Sequence, residues 1–209
     1  MADRRKIGTK DKWKEKTWYT IVAPSFLGER EIALSPAADP SLMIGRKVEV
    51  PVSDFTGNFR KSSTMVIFRV KECTGKRCTT EFIGHKVSDD TIRRMVRRRK
   101  ERIDIIMPSK TKDGYRLVIK IVLVSDSKLT ANKRGEVRSK IIGFINERCG
   151  SMTLPELAQY IIGDNVYNDI VDTLKDVYPI KKIEIRKSEV LGRDGYVEEP
   201  GAQTQIEAQ

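Results

Sequence analysis

The 209-residue chain holds one histidine and three cysteines, its aromatic content is 7%, and no apolar run approaches a membrane span, which needs about 20 residues. Each shortage excludes something. His85 follows Gly84 at the end of a strand-like stretch, and a lone imidazole is most often a packed structural residue. Structural zinc takes four nitrogen or sulfur ligands, so Cys73, Cys78, Cys149 and His85 would have to supply them all. Their spacing resembles neither a finger nor a ribbon, and no metal is expected. Cys73 and Cys78 flank a hairpin turn and read as small strand-end residues, with no obligation to pair in a cytosolic chain. Thr111–Gly114 is not a phosphate-binding glycine motif. No nucleophile–base–acid set can be assembled, so neither an enzyme nor a cofactor is expected. The opening MADRRKIGTK lacks the apolar core of a secretory signal, which places the expected site of action in the cytosol, away from membranes.

Acid is also scarce. Forty Lys and Arg stand against 29 Asp and Glu, a formal charge of +11, in a chain that is 33% charged and 39% hydrophobic. Such a balance supports a modest core and a polyanionic partner. The cations concentrate. Thr91 to Arg102 holds seven of them, six being Arg, against one Glu. Ser88-Asp89-Asp90 before it reads as a helix start, with a short side-chain oxygen and two carboxylates at the positive end of the dipole. Ile92, Met95 and Val96 then fall on one stripe, which predicts a helix as far as Arg102. Arg93, Arg94, Arg97, Arg98 and Lys100 fall off that stripe, while Arg99 lies nearer to it. Like charges at these spacings repel, and an anion laid against the helix relieves them. Arginine's planar fork suits phosphate. A one-sided run therefore points to RNA backbone, where a mixed run would be a solvated face.

Along the chain, residues 1–16 form a basic arm with seven cations and almost no apolar residues, which predicts disorder. Strands are expected at 17–23, 31–34, 46–52, 64–72, 77–87, 103–107 and 115–124. Turns at Gly57-Asn58, Thr74-Gly75-Lys76 and Asp113-Gly114 separate several of them. From Lys128 the period becomes helical, with Thr153-Leu-Pro-Glu156 a capping box, Asp164 a helix restart and 182–187 a last strand. Residues 191–209 read as an acidic flexible tail. The expected fold class is α+β: one domain over 17–190 built on an antiparallel sheet, able to close into a barrel, with a basic helix between hairpins and helices toward the end. Residues 144–178 hold six acids and two bases, so the helical part is expected to face away from RNA. The candidate RNA-contacting residues are Lys14, Lys16, Arg46, Arg60, Lys61, Arg93, Arg94, Arg97, Arg98, Arg99, Lys100, Arg102, Lys133, Arg134 and Arg138.

Four stretches, KTWYTIVAP (16–24), EREIALSPAADPSLMIGRKVEVPVSDFTGNF (29–59), EFIGHKVSDDTIRRMVRRRKERID (81–104) and TKDGYRLVIK (111–120), together resemble one family. It is the ribosomal protein family shared by archaea and eukaryotes and called protein one of the small subunit, older name S-three-a-e. Gly45-Arg46-x-x-Glu49 followed by Asp54 is the most telling motif, with departures at Lys47, Pro51 and Phe55. The resemblance runs from about Trp13 to Val190 and looks like the short archaeal form. It implies a β-barrel-centred fold on the platform of the small subunit. Its implied neighbours are small-subunit rRNA, ribosomal proteins including the universal eleventh one, and mRNA near its exit. The other reading of the same cations is a free translation or assembly factor that visits the subunit.

Overall fold

The computed structural model describes residues 13, 16–163, 165–175, 178 and 180–193, apart from the side chain of Arg60. Most of the basic arm with Lys14, the helix restart at Asp164 and residues 194–209 of the expected tail lie outside the described residues. The chain divides into two compact units: one has residues up to Val50 with Phe68–Phe82, the other Pro51–Ile67 and everything from Ile83. Strands β3 (Lys47–Pro51), β4 (Thr64–Thr74) and β5 (Arg77–Val87) contribute residues to both.

In the first unit, β1 (Thr17–Val22) pairs antiparallel with β2 (Glu31–Ala37) from Thr17↔Ala37 onward. On its other side β1 runs parallel to β5, with Ile21 opposite Cys78. That one parallel pairing departs from the expected antiparallel rule. Tyr19, Ile21, Ala37, Met43, Val70 and Cys78 form the core. The hairpin turn at Thr74-Gly75-Lys76-Arg77 brings the Cα atoms of Cys73 and Cys78 to 4.0 Å, and the two sulfurs are joined in a disulfide. The expectation of unpaired strand-end cysteines is thereby corrected. Opposed residues across a tight hairpin sit at the closest approach an antiparallel pair offers.

In the second unit the sheet order is β5, β8 (Ile180–Arg193), β7 (Tyr115–Ser125), β6 (Arg102–Lys110). Strict alternation in β6 sends Ile103, Ile105 and Met107 inward. They meet Leu117, Ile119, Ile121 and Leu123 of β7 beneath helix α3 (Ala131–Ser151). Val137, Ile141, Ile145 and Cys149 recur every four residues along α3 and supply its buried stripe. Helices α4 (Leu154–Ile162) and α5 (Asn165–Leu174) complete this core through Leu157, Val166, Ile170 and Leu174. The capping box is present as read, with the Thr153 N–H donating to Glu156 Oε2 at 2.8 Å.

Two expectations about strands change. The sheet does not close into a barrel: among the described residues β2 pairs only β1 and β6 pairs only β7. Each of those strands carries a proline, Pro36 and Pro108, which has no N–H to give a further neighbour and is at home on an edge. The last strand is also longer than read. It extends through Leu191–Arg193, beyond the expected start of the tail, because β7 has eleven residues to pair and Arg193 lies opposite Tyr115.

Candidate nucleic-acid interface

The cationic stretch is built on a short anchor. Helix α2 (Asp89–Met95) follows Ser88 as expected, but the Ser88 hydroxyl bonds Thr91 Oγ1 at 3.0 Å and does not cap a backbone N–H. Ile92 packs with Val87 and Val122, and Met95 lies against them. Arg186 on β8 donates to Asp89 Oδ1 at 3.1 Å and ties down the first turn. With Ile92 turned inward, Arg93 and Arg94 point to solvent.

The helix ends at Met95, seven residues short of the expected Arg102. After Val96 the next apolar residue is Ile103, so nothing remains to hold an amphipathic face down. Continuing the helix would stack Arg97 and Arg98 one turn above Arg93 and Arg94 and crowd Arg99 and Lys100 onto the next turn. The chain turns instead, with Arg99 at φ 66° and the Lys100 N–H donating to the Arg97 carbonyl at 3.1 Å. Arg97, Arg98 and Arg99 are all exposed at this tip. Sequence periodicity placed them on a helix; the structure places them on a protruding turn, still on the solvent side.

Beyond the turn the cations are organised by two carboxylates. Lys100 pairs with Asp126, whose carboxyl it holds below the usual range by hydrogen bond and charge, with help from Lys181 at 3.6 Å. Glu101 accepts from the Leu129 N–H at 2.6 Å and from Arg134 at 3.1 Å. Lys100, Arg102, Lys128 and Arg134 thus converge around Glu101 in a shallow recess of about 430 Å³. Arg102 is also held by Asp104 at 2.8 Å. Lys133 lies 5.9 Å from the centre of the Tyr178 ring, and Arg138 is exposed on α3. The second unit therefore gathers Lys100, Arg102 and Arg134 from the expected set, and adds Lys128 from outside it.

Other expected contacts are engaged within the protein. Arg46 donates Nε–H to the Leu42 carbonyl at 3.0 Å, and Nη1 donates to Ser35 Oγ at 2.8 Å and to the Pro36 carbonyl at 3.2 Å. These bonds brace the loop before β3 against β2. Lys61 Nζ donates to the Ile162 carbonyl at 2.6 Å. Lys16 stacks over Trp13 at 4.5 Å.

His85 fills a structural place. Its Nε2–H donates to the Ile185 carbonyl at 2.8 Å, which leaves Nδ1 to accept from the Ser188 hydroxyl at 2.6 Å. Burial pushes its pKa down to about 4, against a smaller raising effect of the Ile185 bond. Gly84 beside it has φ 154°, and a Cβ there would overlap the Ser188 carbonyl. At Gly84-His85 the two strands β5 and β8 thus approach too closely for a side chain at residue 84.

A model of the Ribosomal S3Ae family matches residues 4–194. Among curated proteins, "Small ribosomal subunit protein eS1" of Thermoplasma acidophilum is 50% identical over 189 residues, 90% of this chain and 88% of that protein. The protein of the same name from Sulfurisphaera tokodaii is 37% identical over 186 residues, 89% of this chain and 96% of the relative. That of Methanothermobacter thermautotrophicus is 35% identical over 191 residues, 91% and 98% of the two chains.

Proposed function

The chain belongs to the Ribosomal S3Ae family, and we propose that it is a structural constituent of the small ribosomal subunit that holds rRNA by its backbone. The observation that carries the contact mode is the exposed cluster Arg93, Arg94, Arg97, Arg98 and Arg99, projecting from an anchored turn of helix with no groove-reading element beside it. Contacts of this kind position a protein on RNA without reading sequence, and the deep major groove of A-form RNA withholds its base edges. The platform near the mRNA exit, with the universal eleventh protein, rRNA and mRNA as neighbours, is the position that the family resemblance supports. The relatives' shared name supports a resident role in place of a visiting one. Small subunits from the source cells, washed in high salt and quantified by mass spectrometry, should hold one copy per particle. Release with the wash, or a copy number far below one, would identify a transient factor instead.

A further inference from the structure

Next to the arginine cluster, inside the second unit, lies a cavity of about 460 Å³ that the backbone contacts just described do not use. That volume is within the range of small-ligand sites. Its floor is β8, at Ile183 and Ile185, with the ring of His85. Its walls are Met95 of α2 on one side, and Ile162, Val166 and Tyr167 of the α4–α5 corner on the other. Both nitrogens of His85 are engaged, so it offers this space an uncharged ring. Tyr167 is 43% exposed and opens the cavity to solvent. Lys181 and Lys182, both exposed, stand at the lining with Lys61; Glu184 is the acid among the described lining residues, and Asp126 lies 3.6 Å from the Lys181 ammonium. Thr91 of α2 lines it as well, and Arg94 lies one turn further along the same helix.

The arrangement is a largely apolar slot with Tyr167 and three lysines in its lining, beside the exposed arginine turn. Charge complementarity at the mouth selects an anion, and the apolar slot selects what that anion carries. We propose that the cavity receives one unstacked nucleobase of RNA, with Tyr167 as its stacking partner and Lys181 and Lys182 facing the flanking phosphates. The inference rests on the RNA-binding reading above and adds a preference for a bulged or looped nucleotide over continuous duplex. Single unstacked bases on aromatic side chains are the usual way a protein reads RNA beyond its backbone, and each such stack contributes roughly tenfold in affinity.

The test uses the full chain and two RNA hairpins of equal length and charge. One is fully paired; the other carries a single unpaired 2-aminopurine in its stem. The bulged hairpin should bind about tenfold more tightly, with a change in 2-aminopurine fluorescence on binding. Tyr167→Ala should remove the preference and the fluorescence change while leaving affinity for the paired hairpin as it was, and Tyr167→Phe should keep all three. The wild-type fluorescence change reports on the slot even where a variant folds poorly. Equal affinity for the two hairpins with unaltered fluorescence overturns the slot and leaves a protein side chain as the occupant of the cavity. A preference that survives Tyr167→Ala overturns the stacking assignment. Binding of neither hairpin in a salt-dependent way overturns the RNA-backbone reading itself.

Discussion

At the scale of the residue, His85 shows how a group with no chemical task still sets a property of the whole protein. Its pKa falls from 6.5 to about 4 because the buried ring keeps its neutral form. The unfolded chain therefore binds the proton first as pH drops. The contribution of this ring to stability should therefore be full above pH 6.5, decline between 6.5 and 4, and be lower by about 3 kcal/mol below that window. Urea unfolding at pH 7.5 and pH 4.5 should show this decline, and a His85→Gln variant should lose most of the difference. An equal decline in the variant would assign the acid sensitivity to carboxylates. The single histidine was legible in the sequence as structural. Its partner Ser188 was not, because 103 residues separate them and no local pattern links a serine in a final strand to a Gly-His pair.

At the scale of the element, the β4–β5 hairpin and the arginine turn carry opposite lessons. Cys73 and Cys78 stand symmetrically about a two-residue turn, a signal the sequence contains; compartment reasoning outweighed it there. The disulfide closes a short loop, so its removal should cost about 2 kcal/mol by the chain-entropy account. Intact mass of purified protein should be two hydrogens lighter than that of the fully reduced chain, and Cys73→Ser/Cys78→Ser should lower the unfolding midpoint without altering RNA binding. A variant of unchanged stability would show that the hairpin stands without the bond. For the arginine turn, charge density was legible but its geometry was not. Stripe counting extended α2 through Val96 into residues whose mutual repulsion breaks the helix. Replacing Arg97 and Arg98 with Ala should weaken binding to unrelated RNA sequences alike and reduce the slope of log affinity against log salt by about 2. Loss confined to one sequence, with the slope intact, would mean that these side chains read bases.

At the scale of the whole molecule, the class α+β and the order of its elements followed from period and turn chemistry. The hairpins at Gly75-Lys76 and Asp113-Gly114, the capping box at Thr153 and the buried faces of β7 and α3 are local statements that the structure bears out, unlike the extent of α2. The long-range ones needed coordinates: the parallel match of β1 with β5, the open edges at Pro36 and Pro108, and the length of β8. Of the candidate interface, the solvent-facing arginines were legible because they fall off an apolar stripe. Lys128, Lys181 and Lys182 were not legible as part of it because they lie outside the long arginine run, in segments whose pattern marks only a helix start and a strand.

The place of β8 has a consequence in time. It is the last described strand to be synthesised, yet it lies between β5 and β7, and its Arg186 fastens the start of α2. Strands β6 and β7 can pair as a hairpin while the chain is still being made, and β5 has β1 and β4 beside it, but its β8 side stays open until residue 189 has emerged. The arginine turn, seated early by Ile92 on Val87 and Val122, thus acquires its Arg186 tie late in synthesis. A chain stopped at residue 179 should populate a partly ordered β6–β7–α3 intermediate, with slow amide exchange there and fast exchange at Gly84–Lys86. Protected amides at Gly84–Lys86 in that fragment would show that β5 finds its order without β8. Chains terminated before β8 should therefore present the arginine turn without its Arg186 tie, and the order of synthesis becomes a condition on when that surface is set.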